Sequence, residues 1–452
     1  MERHLRVASH ATNYRLPCPE MIRPGRTTEQ FLLAAKQAEI RALRNLANTC
    51  QLVSCVSELI HQLQRERGVS NIYLSSSGGH FHQQRQHQLQ LASSAEAQLR
   101  ELLEERYLHD RRAEASPRLL SKVAFVLQGL DELAELRPRV ENIAIPAPHM
   151  TEAFGRLIAG LLGIVFEAAD SAGDAAVSRA LVAQFNFMQG KEYAGQERAW
   201  AAIGFAGCAF TAALKERLEA LRHAQERAFS IFERFASAEQ LRYWQELKNS
   251  TVEQQLQTLR LVIDRIEKPT DIPPDTSEIW YEKATARIDA MHSLEEMLTQ
   301  NLIALSRERV EMAHRALHEH EARMETLAAG AGTPAATAVL LDMNLPIAPG
   351  VADDLGQDVD PLHASNTRPL YDLLREQAEH LKRTSEELEA ARRALAERKL
   401  VEQAKGLLMH RLGLSEEQAY QRLRQKAMNS NLRLVDVCEH LIAAAGKTKD
   451  RS

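Results

Sequence analysis

Two short stretches place a Glu-Arg pair ahead of a small residue inside an apolar helical pattern: LQRERGVSN, with Arg67, and YAGQERAWA, with Arg198. A guanidinium is planar, permanently charged and able to offer two parallel N–H groups, so it matches the edge of a planar oxyanion. Two such groups facing each other in a helical core would repel, and a bound anion would relieve that conflict. Ligand binding would then be coupled to helix packing. The competing reading for each arginine is a salt bridge to a core-facing carboxylate such as Glu66 or Glu197.

Other chemistry finds little support. The 17 histidines fall mostly in polar runs such as HFHQQRQHQ, without the paired carboxylates or the apolar i,i+4 setting that a metal site needs. The chain has no phosphate-cradling glycine loop, no HExxH and no GxSxG, so an enzyme is not expected. Cys18, Cys50, Cys55, Cys208 and Cys438 form no CxxC pair, which argues against zinc and structural disulfides. No apolar run is long enough to cross a membrane and the first residues do not read as a signal peptide, so a cytoplasmic, membrane-free protein is expected. No cofactor is expected.

The elements that must position these arginines are helices. Only 5% of residues are aromatic, while Ala, Leu, Glu, Gln and Arg dominate long stretches. The fold class expected is all-α: N-terminal antiparallel helical bundles, a flexible linker, a coiled-coil helix and a C-terminal three-helix module. At 452 residues, several domains are expected. Residues 1–27 read as a disordered tail, 28–325 as a helical sensor and 326–369, rich in Ala, Gly, Pro and Asp, as a flexible linker. Within the sensor the pattern predicts helices over 85–110, 117–136, 151–170, 175–190, 192–225, 226–236, 238–267 and 277–324. Over 370–397, Leu374, Leu381, Leu388 and Leu395 recur every seven residues, although the companion row holds Ala378, Ser385 and Arg392. A coiled coil and a homodimer are the expectation, with one solvated helix as the alternative.

Residues 398–446 carry three helical pieces, the second opened by Ser415 and Gln418 in a capping-box pattern. The overall charge of -5 excludes a globally basic nucleic-acid binder, yet this segment has a local surplus of Lys and Arg. EQAKGLLM, SEEQAYQRLRQKAM and LVDVCEHLI resemble, in order and spacing, the ANTAR family of antiterminator output domains. The resemblance implies binding to hairpins in a leader mRNA. Lys405, Arg411, Arg422, Arg424, Lys426 and Arg433 are the cationic candidates, each with an ordinary solvated charge as its alternative. Ala404, Ala419 and Ala427, with Gly406, are small enough for RNA to approach, or else mark tight helix packing.

HQLQRERGVSNIYLSSSGGHF and FNFMQGKEYAGQERAWAAIGFAGCAF resemble the two motifs of the NIT family, a helical nitrate- and nitrite-sensing domain. With WQEL and WYEKATARID the similarity spans roughly residues 40–320. It implies that the ligand is nitrate or nitrite, bound by Arg67 and Arg198. It also implies an arginine from a helix near 250–266, where Arg260 is the natural candidate and Arg265 the other. Leu256, Leu259 and Ile263 share a face there, with Arg260 at its border. The function these resemblances imply is a one-component antiterminator responding to a small oxyanion and acting on genes of nitrate assimilation. The alternatives are a sensor of a different small anion with the same output, and a helical protein-interaction scaffold.

Overall fold

A computed structural model describes residues 26–109, 115–207, 209–267, 276–330, 368–414 and 416–449. The expected tail up to residue 25 and the linker from 331 to 367 lie outside the described residues. The described part holds helices and no strand. They are α1 (Arg26–Ser75), α2 (His82–Leu103, continued by a π-helical turn Glu104–His109), α3 (Pro117–Glu141), α4 (Ala147–Ser171), α5 (Ala175–Ala206) and α6 (Ala212–Phe235). After these come α7 (Ala238–Lys248), α8 (Thr251–Arg265), α9 (Thr276–Gly330), α10 (Arg368–Leu412), α11 (Glu416–Ser430) and α12 (Leu434–Lys449).

The chain divides into two compact units. The smaller comprises Met1–Ile40 and Ala313–Glu379, with Leu32, Ile40, Ala313 and Leu317 buried. The larger comprises Arg41–Met312 and His380–Ser452 and contains every candidate site residue.

Helix starts in the larger unit are written in side-chain caps. Ser116, Asp174, Thr211 and Ser250 each accept a backbone N–H three residues on, and Ser237 with Gln240 forms a full capping box. Four predicted boundaries are corrected, the first at Thr211, which caps a new helix inside the expected 192–225 stretch. Helix α5 runs unbroken through Gly190, where two helices were expected, and α6 runs unbroken through the expected division at 225/226. The 238–267 helix is two, because Ser250 restarts the chain after Asn249. Gly190 sits in a helix for a packing reason: a Cβ there would lie 2.4 Å from the Phe229 ring, so glycine lets α6 cross α5 closely. Phe229 and Phe232 of α6 then enclose Phe187 of α5 together with Trp244 of α7.

Helix α5 is buried on nearly all sides, which marks it as the central helix of the body. Leu52, Val56 and Leu59 of α1, Phe154, Ile158 and Leu161 of α4 and Met291, Leu294 and Leu302 of α9 share one apolar cluster with Leu181, Phe187 and Met188 of α5. Each such fully buried side chain contributes about 1.5–3 kcal/mol. That margin lets the same core carry buried charge.

Helix α10 joins the expected coiled-coil segment and the first helix of the C-terminal module into one continuous rod. Ala391 and Leu395 belong to the apolar cluster of the body and Leu388 is buried as well, so this half of the heptad row is covered by the chain itself. Ala404, Leu408, Ala419, Leu423, Ala427, Val437 and Cys438 form a separate small core that closes α10, α11 and α12 on one another. Gly413, in the left-handed region at φ 64°, makes the α10–α11 turn.

Candidate anion site and RNA-binding module

Three helices each present a polar stripe within an apolar surface. On α1, Ser57, His61, Gln64 and Gly68 lie at i, i+4, i+7 and i+11, and Arg67 flanks them. On α9, Tyr281, Thr285, His292 and Glu295 lie at i, i+4, i+11 and i+14, also along one helix face. Between them α5 contributes Lys191, Glu192, Gly195 and Arg198. The result is a buried polar layer through the middle of the body.

Arg67 is fully buried and forms a two-pronged bond with Glu192, at 2.6 and 3.1 Å. Gln64 and Gln196 also donate to that carboxylate, at 2.9 and 2.8 Å. Arg198 is 2% exposed. Its terminal nitrogens donate to Thr285 Oγ1 at 3.1 Å and to the Gln64 carbonyl at 3.0 Å, and its Nε has no partner. The guanidinium stands over the Tyr281 ring at 5.4 Å. Among the described residues no carboxylate pairs with Arg198. Burial pushes its pKa down and Arg67 adds to that, while Tyr281 and Asp289 pull the other way. The indole of Trp280 donates to the Arg198 carbonyl at 3.2 Å and fixes this turn of α5.

The two arginines are admitted by reciprocal glycines. A Cβ on Gly68 of α1 would lie 2.5 Å from an Arg198 terminal nitrogen, and one on Gly195 of α5 would lie 2.6 Å from an Arg67 terminal nitrogen. Each guanidinium thus rests on the bare backbone of the other's helix. Any side chain at Gly68 or Gly195 would have to displace an arginine.

Arg260, the third candidate, has a different setting. It forms a two-pronged bond with Glu197, at 2.8 and 2.5 Å, and Arg222 and Gln225 reach the same carboxylate at 3.0 and 2.8 Å. Burial alone would raise the Glu197 pKa, but the charge and hydrogen bonds of Arg260 bring it down to about 2. Glu66, the other carboxylate considered, pairs with Arg137 and not with Arg67. The partners that sequence reasoning missed are Gln64, Glu192, Tyr281 and Thr285. Their signal was present as polar residues at helical spacing inside apolar stripes.

In the C-terminal module, Arg422, Arg424 and Lys426 of α11 are exposed, as is Arg433. Arg411 is exposed and donates to the Ala445 carbonyl at 3.2 Å. Lys405 is buried and paired with Glu402 at 2.8 Å. Ala404 and Ala419 are fully buried and Ala427 is 7% exposed. They occupy the core of the module, the tight-packing alternative, whereas Gly406 is open. The module leans on the sensor body. Arg227 of α6 stands 4.1 Å over the Tyr420 ring, Arg398 stands 4.6 Å over the Phe185 ring and bonds Gln189, and Lys399 reaches Asp170 at 3.5 Å. A cleft between α6 and the module is lined by Arg227, Tyr420, Arg424, Met428 and Arg433.

A helical body with a buried, under-compensated arginine pair, joined to a small basic helical module, defines an anion sensor with a nucleic-acid-type output. Residues 58–303 match the family described as nitrate and nitrite sensing, and the chain belongs to it. Residues 389–442 match the ANTAR domain. The chain is 33% identical to the nitrate regulatory protein of Klebsiella oxytoca over 422 residues, covering 92% of this chain and 96% of that one. It is also similar to a solved structure of the NasR transcription antiterminator, with 29% identity and a TM-score of 0.58, covering 92% of this chain and 98% of that chain. No described helix is long and apolar enough to cross a membrane.

Proposed function

We propose that the chain is a one-component transcription antiterminator in which nitrate or nitrite binds against Arg198 and Arg67 and governs the access of leader-mRNA hairpins to the ANTAR module. The observation that carries this reading is Arg198, a buried guanidinium with an unpartnered Nε and, among the described residues, no carboxylate on it. Burying a charge without a counter-charge costs several kcal/mol, so the fold is poised to gain from a small anion. Arg260 acts in this reading by holding Glu197, the neighbour of Arg198, on the far side of α5. On the output side the exposed Arg422, Arg424 and Lys426 supply phosphate contacts. Lys405, Ala404, Ala419 and Ala427 shape the module.

Tyr420 and Arg424 line the cleft beside α6, and we read this as a docked arrangement that nitrate releases. A homodimer would draw on the heptad row before Leu388, because Leu388 and Leu395 are already covered.

The test is direct. Nitrate or nitrite at about 100 times its dissociation constant is expected to stabilise the full chain by about 2.7 kcal/mol, read as a raised melting temperature. A chain indifferent to both anions would overturn the proposal.

A further inference from the structure

The arginine pair carries its own carboxylate. Glu192 is 1% exposed and takes hydrogen bonds from Arg67, Gln64 and Gln196. Guanidinium groups do not deprotonate in proteins, so Arg67, Arg198 and Glu192 together leave a surplus of one positive charge. Nearby buried charges do not change this balance. Lys191 is bonded to Glu295, and Glu197 is held by Arg260 and Arg222. Arg65 and Asp289 are exposed, opposite in sign and screened by water.

We propose that Glu192 is the charge-selecting residue of this site: by neutralising one of two buried arginines, it admits a monoanion and refuses a dianion. This rests on the anion-binding reading above. A monoanion brings the buried cluster to neutrality. A dianion would replace a buried surplus of positive charge by an equal surplus of negative charge, so no net relief of burial follows. Without Glu192 the pair would carry two uncompensated charges and suit a dianion.

The experiment is isothermal titration of the full chain and of Glu192→Gln with nitrate and with sulfate. Calorimetry is preferred to melting because sulfate stabilises folded proteins non-specifically. The unmodified chain is expected to bind nitrate and not sulfate, and Glu192→Gln to gain sulfate affinity on the order of tenfold or more. A folded Glu192→Gln chain that still refuses sulfate overturns the inference while leaving the nitrate site standing. If the variant does not fold, perchlorate decides on the unmodified chain, since it has the tetrahedral shape of sulfate but a single charge. Competition by perchlorate and not by sulfate supports selection by charge, and equal refusal of both overturns it. Absence of nitrate binding to the unmodified chain overturns the anion site and this inference together.

Discussion

Lys191→Met is expected to destabilise the folded chain by about 3–5 kcal/mol, and Lys191→Met with Glu295→Leu to recover most of that loss. Both side chains are fully buried and bonded to each other, and Ser57 donates to the same carboxylate at 2.6 Å. Burial alone would raise the Glu295 pKa, but the Lys191 charge, with His292, Lys191 and Ser57 hydrogen bonds, holds it at about 2. Its folded pKa therefore lies below the ordinary value of 4.5, so its contribution is present above that value and lost as pH falls toward 2. Removing Lys191 strands the carboxylate and flattens this acid dependence, whereas removing both removes the conflict. His61, beside Lys191 and stacked on His292 at 3.4 Å, is kept neutral by burial and by that same lysine. Urea midpoints at neutral pH check the ordering. Equal midpoints for the single and double variants would contradict it.

Arg198→Met is expected to act in opposite directions on stability and on binding. Without ligand it removes a buried charge that no carboxylate among the described residues pairs with, so the variant should be more stable than the unmodified chain by about 1 kcal/mol or more. The side chain is long and flexible enough to fill the space between Gly68 and Tyr281. Nitrate affinity should fall on the order of 100-fold or more, because a charge-assisted contact in a dry site is lost and Arg67 remains neutralised by Glu192. Melting curves with and without nitrate read both effects. A variant that is less stable yet keeps its nitrate response would remove Arg198 from the site and make it a structural residue.

The contrast between Arg198 and Arg260 shows how far the sequence reaches. Both lie in helices with apolar faces, and either could have met a carboxylate or a ligand. What separates them is three-dimensional: Glu197 points across α5 to Arg260, while its neighbour Arg198 points to Gln64 and Thr285. No spacing rule within one helix gives that, because the partners come from segments more than 60 positions apart. Motif resemblance pointed to Arg67 and Arg198, but not to Glu192, which competes for Arg67. The predicted break at Gly190 failed for a related reason. Glycine is a helix breaker in isolation, yet here the close approach of Phe229 outweighs its propensity cost of about 1 kcal/mol. The boundaries at Thr211 and Ser250 were missed, although Ser250 and Glu253 have the spacing of a capping box and Thr211 is a residue type that caps helices. In the C-terminal module the helices were legible from their apolar spacing. The orientation of Ala404, Ala419 and Ala427 was not, because a small residue reads alike on a packed face and on an open one.

The central claim is that an anion at the arginine pair controls what the distant ANTAR module can bind. The most direct measurement is binding of the full chain to a leader hairpin, by gel shift at fixed salt, with and without nitrate. Phosphate contacts from Arg422, Arg424 and Lys426 make the affinity salt-dependent, so the comparison holds only at one ionic strength. The account predicts weak binding without nitrate, with the module docked on α6 through Arg227 and Tyr420, and tight binding once nitrate is added. Hairpin binding that is equally tight in the presence and absence of nitrate would contradict it.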